Sequence, residues 1–198
     1  MITKSGGNEF HGDVFVNYAV PSLRSDQESV NNTESDINDR DSVFDDVETT
    51  DYGAVLGGFI AKDRLWFFTA FNHSDGSRDR IVQASNPAIH GQPFREESTY
   101  NLFSGKLTFN FAQGSTLVGT YFRDPEHRDG AVFVPPSPDP NSYAGRSDIG
   151  SEDYAGRFNQ LFGSTGVLTL QYSRHNDRFQ LKPLDASLVS FQDRTRAS

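Results

Sequence analysis

From Phe10 to Val20 the even positions Phe10, Gly12, Val14, Val16, Tyr18 and Val20 are apolar or small, whereas His11, Asp13 and Asn17 among the odd ones are polar. Successive strand side chains point to opposite faces, so this segment reads as a strand with one apolar and one mostly polar side. Related patterns recur along the chain and predict seven strands: Phe10–Val20, Tyr52–Ala61, Leu65–His73, Thr99–Phe111, Thr116–Arg123, Glu152–Leu161 and Val167–Arg178. In the fourth, Phe103, Leu107, Phe109 and Phe111 oppose Ser104, Lys106, Thr108 and Asn110; in the seventh, Leu168, Leu170 and Tyr172 oppose Thr169, Gln171, Ser173 and His175. The second, third and fifth are apolar on both sides or ambiguous, which leaves their faces open. Seventeen Phe, seven Tyr and seventeen Gly beside one Met suit strands better than helices.

The connections constrain the arrangement further. Tight turns at Lys62-Asp63-Arg64, Ala112-Gln113-Gly114-Ser115 and Gly163-Ser164-Thr165-Gly166 alternate strictly with long polar stretches over 21–51, 74–98 and 124–151. In an antiparallel up-and-down meander, alternate connections lie at opposite ends, so every short turn shares one rim and every long loop the other. Compact domains rarely carry several irregular loops longer than about 12–15 residues. Outer-membrane barrels have short periplasmic turns and long extracellular loops, and their tilted strands need about 9–11 residues to cross the bilayer. The expected fold is therefore all-β: a meander forming a partial transmembrane β-barrel of about seven strands with long loops on one rim. The alternative is a soluble or surface β-sandwich that binds carbohydrate or protein, with its apolar faces packed on each other.

Several classes drop out on composition. No run approaches the roughly 18 apolar residues of a membrane-spanning helix. With no cysteine, neither a disulfide framework nor a Cys-based metal site is possible. A net charge of -9 without a basic stripe argues against a nucleic-acid partner. The N-terminus lacks the regions of a signal peptide.

The segment Thr3-Lys4-Ser5-Gly6-Gly7-Asn8-Glu9-Phe10-His11-Gly12 resembles the junction at which the plug of a TonB-dependent outer-membrane receptor ends and its barrel begins, in the Oar-like group especially. Tyr52 to Phe68, a Gly-rich strand, a Lys-Asp turn and an aromatic strand, is similar to that group's second and third barrel strands, and the Tyr100–Arg123 hairpin resembles the family more loosely. The resemblance implies that residues 1–9 are the plug end and hinge, that 10–198 is the N-terminal part of a barrel, and that the chain is an interior fragment. It also implies a Gram-negative outer-membrane location and energised uptake or binding of an extracellular ligand. The expected partners are the lipid bilayer and, through the plug, TonB; neither a cofactor nor enzymatic activity is expected.

On that reading Asp13, Asn17, Lys106, Asn110, Arg157, Asn159 and Gln171 are lumen-facing. The stretch 21–51 concentrates carboxylates, and Asp36, Asp39 and Asp41 are the best calcium-ligand candidates. Arg40 at the fifth position and the absence of Gly at the sixth fail the EF-hand template, so the stretch reads as a solvated acidic loop with no metal. Lys4-Ser5-Gly6-Gly7 lacks the spacing of a phosphate loop, and the five histidines show no paired helical spacing for zinc. No nucleophile, base and orienting acid can be grouped.

Overall fold

The computed structural model describes residues 5–23, 25, 46–81, 93–132, 144–185 and 187. They form one antiparallel sheet of eight strands. These are β1 (His11–Ala19), β2 (Asp46–Ala61), β3 (Leu65–Ile81), β4 (Pro93–Ala112), β5 (Ser115–Arg123), β6 (Glu126–Val132), β7 (Ala144–Phe162) and β8 (Gly166–Lys182), with a 3₁₀ turn at Pro21–Leu23 after β1. The expected calcium candidates Asp36, Asp39 and Asp41 lie outside the described residues, as do His90 and the prolines of 135–140.

Eight strands fill seven positions, because β5 and β6 both lie between β4 and β7. Their register is continuous: Phe103 faces Arg123, and three residues on, Tyr100 faces Glu126. Pro125 has no N–H to give the ladder, which interrupts it there. The pairing persists through the break, with the Asn101 N–H donating to the Pro125 carbonyl at 3.0 Å and the Asp124 N–H to the Ser151 carbonyl at 3.2 Å.

Five strands run past their expected limits, and all do so at the end away from the short turns. β2 begins at Asp46 rather than Tyr52, β3 ends at Ile81 rather than His73, and β4 begins at Pro93 rather than Thr99; β7 begins at Ala144 rather than Glu152, and β8 ends at Lys182 rather than Arg178. Part of each of the three long polar connections is therefore sheet. Apart from β8, where Phe179 and Leu181 alternate with Gln180 and Lys182, both faces are mostly polar there, so the period-two hydrophobic signal ends while the ladder continues. Opposite charges face each other directly, as at Arg78 and Glu96, Asp79 and Arg95, and Asp129 and Arg146, which supports pairing where apolar contacts are absent.

The glycines of β2 have a packing cause. A Cβ on Gly58 would sit 2.4 Å from the Phe10 ring, and one on Gly53 would sit 2.6 Å from that of Phe15. Phe10, just before β1, and Phe15 within it thus lay their rings onto the bare backbone of β2. The sheet has little interior of its own: Phe68 is the only buried apolar side chain among the described residues, while Val14 is 85% and Leu170 57% exposed. No second sheet covers these faces, so the described strands do not form the β-sandwich.

Candidate functional site

Residues paired across a ladder share a face, so the register sorts the whole sheet into two surfaces. One surface carries Val14 and Val16 of β1, Tyr52 and Leu56 of β2, Phe67 and Phe71 of β3, Phe103, Leu107 and Phe109 of β4, Leu117 and Tyr121 of β5, Tyr154 and Phe158 of β7, and Leu170 and Tyr172 of β8. It also settles the strands whose faces the sequence left open. This apolar band ends away from the turns at an aromatic margin of Tyr18, Tyr52, Phe71, Phe103, Tyr121, Tyr154 and Tyr172, as at a membrane interface. Tyr18 and Tyr52 lie on this margin, whereas Phe10 and Phe111 lie at the turn end, where Phe111 stacks on Phe158 at 6.1 Å.

The band crosses the hydrogen-bond rows obliquely. Its midpoint is Val14 on β1, and the row through Val14 arrives on β8 at Asn176, whereas the β8 midpoint is Leu170. That is a drift of 176 − 170 = 6 residues over six strand-to-strand steps. One residue per strand, at about 3.3 Å rise and 4.8 Å spacing, corresponds to a strand tilt of about 35°. This lies at the edge of the range for outer-membrane barrels.

The opposite surface holds all seven residues expected to face a lumen. Asp13 lies opposite Val55 and Asn17 opposite Asp51; Lys106 and Asn110 follow on β4, Arg157 and Asn159 on β7, and Gln171 on β8. Arg157 donates through Nε and Nη2 to Gln171 Oε1 at 3.1 and 2.8 Å. Thr169 Oγ1 donates to Asn159 Oδ1 at 2.9 Å, and Thr116 Oγ1 to Asn110 Oδ1 at 2.8 Å. The two hydroxyl–amide pairs repeat one arrangement near the short turns.

The N-terminal segment crosses this same polar surface. Asn8 fastens it: Asn8 Oδ1 accepts from the Asp63 N–H at 3.0 Å and from Trp66 Nε1 at 2.8 Å, and Asn8 Nδ2 donates to Asp63 Oδ1 at 2.5 Å. Asp63 sits at φ 61°, and the β2–β3 turn closes with the Arg64 N–H donating to the Ala61 carbonyl at 3.1 Å. Gly6 lies flush on the backbone, where a Cβ would meet the Phe67 carbonyl oxygen at 2.2 Å. Lys106 Nζ reaches Ser5 Oγ at 2.7 Å. The turn signal at Lys62-Asp63-Arg64 was readable in sequence, but nothing local linked it to Asn8, 55 residues away.

Beyond the aromatic margin, His127 and His175 are each held between two carboxylates. His127 contacts Asp148 at 2.5 Å and Asp129 at 3.1 Å, and His175 contacts Asp153 at 2.6 Å and Asp177 at 2.7 Å. In both, the second carboxylate is two residues on, the spacing that puts side chains on one strand face. Hydrogen bonding to Asp153, reinforced by the charges of Asp153 and Asp177, raises the His175 pKa. The Arg146 guanidinium on Asp129 holds that carboxyl below its usual range, and the His127 ring does the same for Asp148. Among the described residues no group of three or more His, Asp or Glu is placed to hold a metal ion.

Residues 2–92 match the family described as outer membrane beta barrel domain. Over 103 residues, 51% of this chain, the sequence is 39% identical to the TonB-dependent transporter Oar of Myxococcus xanthus, and the match spans 9% of that relative's length. No solved structure matches the chain. With the single meandering sheet and its oblique apolar band, these matches liken the chain to outer-membrane β-barrel sequence of the TonB-dependent receptor type and support a Gram-negative outer-membrane location.

Proposed function

We propose that these strands are the N-terminal part of the barrel wall of a TonB-energised receptor that binds or takes up an extracellular ligand. Residues up to Glu9 are the end of its plug, and residues from Phe10 onward are barrel. The apolar band faces lipid, and Asp13, Asn17, Lys106, Asn110, Arg157, Asn159 and Gln171 face the lumen. The observation that carries the reading is that the N-terminal segment crosses the polar surface and not the apolar one, which is the side a plug must occupy. TonB would act through the plug, and the wall itself performs no catalytic step.

Leu107 and Thr108 test the reading, because they are sequence neighbours on opposite surfaces. An arginine at the mid-band of a lipid face costs about 2–4 kcal/mol, and far less on a lumen face. Leu107→Arg in the complete receptor should abolish outer-membrane insertion and the mobility difference between heated and unheated gel samples. Thr108→Arg should leave both intact. Equal tolerance of the two, or the reverse order, overturns the assignment of faces.

A further inference from the structure

We infer that the apolar surface of β5, β7 and β8 carries a site for one phosphate-bearing lipid, with an acyl chain in a gap left by Gly119 and Gly156 and the phosphate on Arg174 and Arg178; this rests on the proposed assignment of that surface to lipid. The register places Leu107, Gly119, Gly156 and Tyr172 in one row across four strands. A Cβ on either glycine would meet nothing within 4 Å, so the middle of the row is open. The row nearer the short turns is filled again by Leu117 and Phe158, and the row on the other side by Tyr121 and Tyr154. The result is a hollow of about 500 Å³, continued toward the short turns by a second of about 450 Å³. Both have the size of small-molecule sites. Glycine inside a strand weakens it and marks a place where another group comes close to the backbone. The wall on the far side of the gap is well held: the Tyr121 and Tyr154 rings lie 5.1 Å apart, and the Tyr121 hydroxyl donates to Glu152 Oε1 at 2.7 Å.

The charge beside the gap selects the kind of lipid. The face of β8 that carries Leu170 and Tyr172 continues as Arg174, Asn176, Arg178, Gln180 and Lys182, three cations and no carboxylate. Arg174 stands directly opposite Tyr154 of the wall. The acids that β7 turns to this face stand opposite the amides, Glu152 at Asn176 and Asp148 at Gln180. Asp148 is 3.8 Å from Arg178 and is held more closely by His127, at 2.5 Å. Arg174 Nε donates to Asn176 Oδ1 at 3.1 Å, and Arg178 Nη2 to Gln180 Oε1 at 3.2 Å. Neutral partners thus orient both guanidiniums along the strand. Elsewhere the same surface is acidic beyond the aromatic margin: β2 to β4 turn Glu48, Asp75, Asp79 and Glu97 outward against Arg95. In a chain of net charge -9, the basic ladder is local to the strand that borders the gap. A guanidinium presents paired N–H donors matched to a phosphate. Hydrocarbon in the gap and phosphate on the ladder is the order in which a lipid standing in the membrane presents its two ends.

The test titrates dimyristoyl phosphatidic acid into the complete receptor, folded in a nonionic detergent, and counts bound lipid by native mass spectrometry. One lipid should be retained, about tenfold more tightly than dimyristoylglycerol, which has the same chains and no phosphate. Arg174→Gln combined with Arg178→Gln should weaken retention about tenfold, and Arg174→Lys should keep most of it. Gly156→Val puts a branched side chain into the gap and should weaken retention as much, as should Gly119→Val on the facing strand, while the unheated gel form persists in both. Retention by the arginine and glycine variants equal to that of the parent overturns the site. Valine variants that bind like the parent overturn the gap as the seat of the chain. Displacement of the lipid by an equal concentration of inorganic phosphate overturns the lipid as occupant. Failure of the site while Leu107→Arg still blocks insertion leaves the lipid-facing assignment standing; insertion of Leu107→Arg as readily as Thr108→Arg removes that assignment and the site with it.

Discussion

Replacing Asn8 by alanine removes three hydrogen bonds that fasten the N-terminal segment to the β2–β3 turn: one donated to Asp63, one accepted from the Asp63 amide and one accepted from the Trp66 indole. The groups are exposed, so water replaces the lost partners and each bond counts near the lower part of the usual range. About 0.7 kcal/mol apiece gives a weakening of about 2 kcal/mol, or roughly a 30-fold rise in the open population. The Asp63 amide reports this directly, since its acceptor is Asn8 itself. Hydrogen exchange at that amide in the detergent-solubilised receptor should speed up about 30-fold in Asn8→Ala. Asn8→Asp keeps both acceptor bonds but sets a carboxylate against that of Asp63, and should fall between. Adding Asp63→Asn to Asn8→Asp restores donor and acceptor with their roles exchanged, and asparagine tolerates the left-handed backbone at φ 61°. The double variant should therefore return to slow exchange. An Asn8→Ala rate within twofold of the parent, or a double variant as fast as Asn8→Asp, would refute the assignment of these bonds as the fastening.

Further outcomes follow from other parts of the sheet. Gly150 has φ 147°, and a Cβ there would lie 2.8 Å from the Asp124 carbonyl oxygen; Gly150→Ala should cost about 1–3 kcal/mol, read as an earlier loss of the unheated gel form in a temperature series. Gly119→Ala meets nothing within 4 Å and should change that midpoint by less than about 0.5 kcal/mol equivalent. The His175 pKa is raised above its ordinary 6.5, so its stabilising contribution is complete below that pH and lost as pH rises through the raised value. The midpoint difference between parent and His175→Gln should then be largest in mild acid and vanish in alkali. Asp129 and Asp148 are depressed below 3.8, so their contribution is present above that pH and lost as pH falls through the lowered values. The midpoint of Asp129→Asn should accordingly match the parent only in strong acid.

The meander and the positions of its short turns were legible because strand alternation and turn residues are local signals. Val14, Val16 and Leu170 declare their face by period two alone. The faces of β2 and β3 were not legible: Val55, Phe68 and Ala70 put apolar groups on the polar surface, and only the register separates them from Leu56, Phe67 and Phe71. The extensions of β4 to Pro93 and of β7 to Ala144 were missed for the opposite reason. Their residues are polar on both faces, and their pairing is carried by backbone bonds that leave no trace in hydropathy. The continuity of β5 with β6 was hidden by Pro125, which reads as a strand breaker although the neighbouring strands carry the register across it. Of the candidate site, the common surface of the seven polar residues was readable from alternation. The Asn8 fastening and the carboxylate-flanked histidines depend on contacts between segments far apart in sequence.

The strand extensions also set a height. On β3 the apolar band stops at Phe71 and the strand at Ile81; on β4 the corresponding limits are Phe103 and Pro93. Ten residues in each case, at about 3.3 Å per residue and a tilt near 35°, rise roughly 27 Å. Because β3 and β4 stay paired throughout this rise, the sheet continues as a collar beyond the apolar band. The paired strand ends at Ile81 and Pro93 therefore stand beyond the band by about the thickness of the hydrocarbon layer. On the proposed reading, a ligand arriving from outside would meet such a crest well before it reached the membrane plane, and the wall below would act as a shaft.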